Sequence, residues 1–346
     1  MFIINIIKKL RKKKIDNYNN IYFYDNKSQI MSDSKIEALR DIEKNKYLFF
    51  SLPRKLRNNK EIIFAVMHKN EFPYQNAYFF KRLSKKIRGD KDIVLAFVKI
   101  DGRLINYASE ELRKDIDVIL AAVNQNGLAL RYLLPKFTAD RKIVLTAVKQ
   151  NGLAILEASR DFREDREIVF AAVLQEASAI IYASKELKKD KDFILKVVKE
   201  DFYILEYISG FKNDIEIALA AVKKKGIALA YFSDIIKNDS EIVFTAIQQN
   251  ISAIKYASEE LKANKDFMLK VIQLNGSAFR HASTELKKNK EVIFIAVQDF
   301  HHAILYLPEE LKKNKEFLIE CYRINNKIIE INDFIREFDK LERKNK

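Results

Sequence analysis

From residue 91 onward, short apolar runs recur between polar stretches at a fixed spacing. Residues 91–115 read KDIVLAFVKIDGRLINYASEELRKD, 166–190 read REIVFAAVLQEASAIIYASKELKKD, and 265–289 read KDFMLKVIQLNGSAFRHASTELKKN. Units open at Lys91, Ile116, Arg141, Arg166, Lys191, Ile215, Ser240, Lys265 and Lys290, every step being 25 residues except the 24 from Lys191 to Ile215. A fixed period of this length is the signature of a stacked repeat. Before each unit stands a short polar acceptor: Asp90, Asp115, Asp140, Asp165, Asp190, Asp214, Asp239, Asn264, Asn289 and Asn314. These residues suit helix N-caps. An acid often follows two places later, as in Asp92, Glu167, Glu241 and Glu291, where a helix N-terminus favours it.

Six consecutive apolar residues, such as Ile168-Val169-Phe170-Ala171-Ala172-Val173, would also fit a buried strand. The caps and the frequent alanines decide for a helix of about ten residues. Gly102, Gly127, Gly152, Gly226 and Gly276 fall where that helix should end and match the glycine that closes a helix C-terminus. A shorter second helix follows, with an alanine column (Ala129, Ala154, Ala179, Ala228, Ala253, Ala278, Ala303) and a column of Ile, Leu or Phe. Ser109, Ser159, Ser184, Ser209, Ser233, Ser258 and Ser283 then open a short helical turn. Pro308 takes the serine position once and Pro135 falls one place later, both acceptable at a helix start.

A unit this small cannot bury two apolar faces alone. The pattern therefore predicts an all-α fold, an α-solenoid of about twelve tandem ~25-residue helix-turn-helix repeats. It covers residues 35–338 as one continuous repeat domain, with atypical end units at 35–90 and 315–338. Residues 48–61 (LFFSLPRKLRNNKE) match 303–316 (AILYLPEELKKNKE), and about six extra residues surround Phe72-Pro73-Tyr74. Residues 1–34 read as a basic lead-in and 339–346 as a charged tail.

The unit pattern Asp-[Lys/Arg]-Glu-Ile-Val-x-Ala-Ala-Val-x-Gln-Asn-Gly-x-Ala, closing on Tyr-Ala-Ser-x-Glu-Leu, resembles the repeat of the family catalogued as domain of unknown function 4116. Leu120-Ala121-Ala122-Val123, Gln125-Asn126-Gly127 and Tyr182-Ala183-Ser184-Lys185-Glu186-Leu187 carry the resemblance best. It implies a helical repeat and brings no activity and no catalytic residues. Units 191–214 and 290–314 depart from it by losing Gln-Asn-Gly.

Of 346 residues, 63 are Lys or Arg and 48 Asp or Glu, a formal charge of +15. Six of the positive charges lie within residues 8–14, next to Phe2-Ile3-Ile4-Asn5-Ile6-Ile7. In a secretory signal the charge precedes the apolar stretch; here it follows. No apolar run is long enough to span a membrane, and the expectation is a cytoplasmic protein. Residues 2–14 could still lie on an anionic membrane as a basic amphipathic helix. Further cations sit at Lys81, Arg82, Lys85, Lys86 and Arg88 and in the pairs and triplet Lys188-Lys189, Lys223-Lys224-Lys225, Lys287-Lys288 and Lys312-Lys313. If these shared one edge they would form a stripe for phosphate backbones. Interleaved acids weaken it, so nucleic acid is a possible partner but not the favoured one.

The candidate binding residues form one column of the second helix: Tyr107, Tyr132, Glu157, Tyr182, Tyr207, Tyr231, Tyr256, His281 and Tyr306. Tyrosines one repeat apart suit a surface that grips a protein or peptide. They also suit, and better, rings packed between repeats with a wet hydroxyl. Glu157 and His281 argue against full burial of the column. Asp299-Phe300-His301-His302 is the one ligand-like cluster, but adjacent histidines diverge on a helix. The Asp cap column lacks the dense oxygen ligands calcium requires. No phosphate loop or nucleophile-base set occurs, and Cys321 reads as packing. The expectation is a non-enzymatic scaffold with no cofactor and no metal, binding an as yet unknown protein or peptide.

Overall fold

A computed structural model describes residues 35–69 and 73–324. The readings placed on 1–34, 325–338 and 339–346 lie outside these residues. The described residues are helical throughout their regular structure, with no strand among them. Twelve long helices open the repeats, from Lys35–Lys44 and Lys60–Lys69 through Lys91–Val98 and onward to Lys315–Ile324. Nine of them begin at the residues the spacing predicts. The cap column explains why. Asp90, Asp115, Asp165 and Asp239 each accept two first-turn N–H groups, and Asp140, Asp190, Asp214, Asn264, Asn289 and Asn314 each accept one.

The chain groups into two compact units, one ending at Val118 and the other starting at Ile119, inside the helix Ile116–Gln125. The first has an aromatic core. Phe49 and Phe79 meet edge to face at 4.8 Å, and Phe80 lies 4.6 Å from Phe97. The insertion at 72–74 leads into a ten-residue α-helix, Pro73–Arg82, at the place of a second helix.

In the second unit each repeat packs its opening helix on the next. The core is the expected one: Val148, Val173, Val198, Val222, Ile247, Ile272 and Val297 are buried, as are Ala154, Ala179, Ala228, Ala253 and Ala278. The second helix, however, is a six-residue 3-10 segment, as in Gly152–Glu157, Ala177–Tyr182 and Ile251–Tyr256. A segment of two 3-10 turns saves length, and its poorer hydrogen bonds are tolerated in short pieces. The closing turn is a short α-helix or 3-10 turn. The missing residue of repeat 191–214 falls here, where no closing helix forms between Ile208 and Asp214.

The glycines need a different explanation from the one the sequence suggested. None of Gly127, Gly152, Gly226 and Gly276 has left-handed backbone. The preceding residue, Asn126, Asn151, Lys225 or Asn275, is extended and caps the 3-10 segment. Glycine is required because a Cβ would lie 2.2 Å from the Ala147 carbonyl oxygen at Gly127, 2.2 Å from that of Ala172 at Gly152, 2.1 Å from that of Ala246 at Gly226 and 2.8 Å from that of Ala296 at Gly276. Each glycine thus faces an alanine of the following repeat. Where the glycine position holds Ala177 or Ile251, the residue in register with that alanine is Val197 or Val271, and the opening helices there pack less closely.

Two ladders run between repeats. In the first unit Lys60 bridges to Asp90 (2.8 Å) and Asp92 (2.7 Å), and Lys91 to Asp115 (2.9 Å) and Asp117 (2.6 Å). In the second, Arg141 reaches Asp165 (3.0 Å) and Glu167, Arg166 reaches Asp190, and Lys191 reaches Asp214 (2.9 Å) and Glu216 (3.0 Å). A cation at a helix start opposes its dipole, and here it serves the next repeat's acids instead. The cations are exposed and the cap carboxylates half-buried, so each pair is weak on its own while linking one repeat to the next. The second ladder is backbone: the Ser159, Ser184, Ser233, Ser258 and Ser283 N–H groups donate to the carbonyls of Thr138, Arg163, Lys212, Lys237 and Lys262 at 2.8–3.0 Å. Pro308 has no N–H and cannot extend it.

The tyrosine-bearing edge as candidate functional site

The column residue is the last of its 3-10 segment in eight repeats, and the one after the last at Tyr207. A six-residue segment buries its third and fourth residues, such as Ala179 and Ile180, and turns its fifth to solvent. The sixth, the column residue, is left at the edge. Tyr107, Tyr132, Glu157, Tyr182, Tyr231, Tyr256 and His281 are half-buried, and Tyr207 and Tyr306 are exposed. The column is therefore neither fully buried nor fully free: most of its residues are half-buried at the edge of the repeat.

In the first unit Lys81 lies over the Tyr107 ring at 4.6 Å, and Arg88 donates to the Tyr107 carbonyl at 3.0 Å. Arg82 stacks on Phe50 at 3.8 Å. These cations of the 81–88 cluster are taken up by aromatic and backbone contacts. In the second unit Glu157 lies 3.8 Å from Arg131 of the preceding repeat. Burial raises the Tyr231 hydroxyl pKa, helped by the nearby Glu206, Tyr203, Tyr256 and Tyr207. Burial lowers the pKa of His281, and Arg280, Lys262, Lys287 and Lys255 add to the effect. His281 accepts from Arg280 Nε at 3.0 Å.

Sequence reasoning picked out Lys188 and Lys287 among the unit-end cations but not the full column beside the tyrosines. Two residues before most caps stands a cation: Arg163, Lys188, Lys212, Lys237, Lys262 and Lys287 in the second unit. Its period of 25 was visible, but solvated lysines look the same in a sequence. Here most of them, Lys212 excepted, are half-buried or buried against the repeat. Lys188 and Lys262 donate to the Ile181 and Lys255 carbonyls (3.0 and 3.2 Å), and Arg163 Nε is buried without a partner. The clustered cations do not all fall on one kind of element: Lys223 and Lys224 lie in the last turn of an opening helix and Lys225 caps its end. A ten-residue helix places them about 15 Å from the repeat's closing cations.

Elsewhere, an open groove of about 650 Å³ runs between helices Lys191–Glu200 and Ile215–Lys224. Of its charged lining residues, Lys191 is paired with Asp214 and Glu216, and Lys199 and Lys223 stand along the same groove. Asp299, beside the two histidines, accepts the Gly276 N–H at 2.8 Å. Cys321 is buried and its thiol is pushed up to about 12 by that burial. Among the described residues no three metal-ligating side chains cluster, and no helix is long and apolar enough to cross a membrane.

A family model described as "Domain of unknown function (DUF4116)" matches nine overlapping stretches: 74–111, 90–138, 140–188, 165–212, 190–237, 214–262, 239–287, 264–308 and 289–333. Most matches span two repeats, and eight of the nine start at a cap residue of the Asp/Asn column. No curated protein and no solved structure matches the chain.

Proposed function

The chain belongs to the family described as domain of unknown function 4116, and from its repeat we propose a non-enzymatic scaffold that binds a protein or peptide along the tyrosine-bearing edge. The half-burial of the column carries this reading. Ordered rings with open rims, one per repeat, offer contact area at little further entropic cost. Repeat stacks use such extended surfaces. The test is a joint change of Tyr132, Tyr182 and Tyr256 to Ala, with helicity checked by circular dichroism, followed by affinity capture from the native cell. The partner is expected to be lost from the variant and kept when the same tyrosines become Phe. Equal recovery with the alanine variant would overturn the reading.

A second reading, electrostatic binding of nucleic acid, draws on the cations beside the column. It requires affinity that falls steeply with salt, and DNA and RNA titrations at low salt decide it. The membrane reading rests on residues 2–14; unchanged vesicle binding after their deletion would remove it.

A further inference from the structure

One position of the 3-10 segment, the residue before the column, points to solvent in most repeats, and its chemistry changes along the second unit. It reads Arg131, Leu156, Ile181, Glu206, Ala230, Lys255, Arg280 and Leu305. Leu156 is 41% exposed and Ile181 48%, and in the next repeat, where the position is Glu206, the same segment also exposes Tyr203 (50%). Further along, Lys255 and Arg280 are exposed in consecutive repeats, and Lys262 and Lys287 stand behind them. Lys262 is only 9% exposed, fixed by the Lys255 carbonyl and by Glu259 at 2.9 Å. No carboxylate pairs with Lys255, Arg280 or Lys287 among the described residues. The Lys255 ammonium instead sits over the Tyr256 ring at 4.6 Å. Four cations thus lie near His281, and of these Lys262 is paired with the exposed Glu259.

Building on the scaffold reading, we propose that this patch receives the carboxylates of an acidic stretch in an extended polypeptide partner, whose apolar side chains lie on Leu156, Ile181 and Tyr203. Charge complementarity selects the acid. The apolar half favours a polypeptide over a nucleic acid, because Leu156 and Ile181 are aliphatic and offer bases no aromatic face to stack on. Lys262, held low against the Lys255 carbonyl, also suits a strand that comes down onto the edge rather than a polyanion held above it.

The test selects from a displayed library of random peptides, about 16 residues long, against the full chain, against Lys255→Glu/Arg280→Glu, and against the Tyr132/Tyr182/Tyr256→Ala variant. Both charge changes are at exposed positions, so folding is spared. Peptides enriched on the full chain are expected to be acidic with aliphatic or aromatic residues, and to bind the charge-reversed chain about tenfold or more weakly. Enriched peptides that are neutral or basic, or that bind the charge-reversed chain equally, overturn the proposal. If such peptides are still lost on the tyrosine variant, the scaffold reading survives alone; if they ignore it too, both readings fall. An oligothymidylate or a phosphatidylserine vesicle that binds more tightly than the best acidic peptide, and is lost on charge reversal, also overturns it.

Discussion

Replacing Gly152 by alanine probes the stacking of repeats most sharply. The new Cβ would lie 2.2 Å from the Ala172 carbonyl oxygen and 3.0 Å from the Glu176 Cβ, where ordinary contact begins near 3.4 Å. The nearest atom is backbone, so no rotamer change relieves the clash; the next repeat must move by about an ångström. Overpacking of this kind costs about 1–3 kcal/mol. Gly210 is the control, because a Cβ there meets nothing within 4 Å and its backbone is not left-handed. Both changes restrict the unfolded chain equally, a stabilising term of about 0.4–1 kcal/mol. The difference between Gly152→Ala and Gly210→Ala therefore isolates the clash. Urea unfolding of the full chain, followed by circular dichroism, should place Gly152→Ala below wild type in midpoint and Gly210→Ala at or above it. Hydrogen exchange should locate the loss in residues 141–190. A Gly152→Ala chain as stable as Gly210→Ala would refute the close approach of consecutive repeats.

Removing the Asp165 cap with Asp165→Ala orphans the Glu167 and Ile168 N–H groups and should cost about 1 kcal/mol in the same assay. Val148→Ala, in the buried column, should cost about 1–3 kcal/mol. Acid should weaken the array: Lys60 holds the Asp92 carboxyl below its usual pKa and Lys91 does the same for Asp115. A carboxylate depressed on folding contributes stability above its unfolded value of about 3.9, so the urea midpoint should hold near neutral pH and fall below about pH 4. His281 is depressed too, but as a base: its unfolded form binds protons first, so its contribution weakens as pH falls below about 6.5. Proton NMR of its ring should show a titration midpoint below that of an exposed histidine; an ordinary midpoint would contradict the burial and the cations around it.

The repeat boundaries were legible because a cap needs a short acceptor side chain, and Asp or Asn marks each one. The buried valine and alanine columns were legible for the same reason of fixed spacing. The 3-10 winding of the second segment was not, since six residues are too few for a period to separate 3.6 from 3.0. The role of Gly152 was hidden because its constraint comes from Ala172, twenty residues away. Likewise Lys191 reads as an ordinary surface lysine until its stacked neighbours Asp214 and Glu216 are in place. The tyrosine column was visible, while the cations beside it, Lys262 above all, needed coordinates to be told from solvated charge.

Site-directed photo-crosslinking tests the working edge most directly. Benzoylphenylalanine placed at Tyr182 or Tyr256 sits on the tyrosine column, and at Phe170 or Phe244 on half-buried positions of the opening helices. The expected result is a crosslinked polypeptide partner from positions 182 and 256 and none from 170 and 244. Crosslinks from the opening-helix positions alone would place the binding surface on the opposite elements and contradict the role given to the tyrosines.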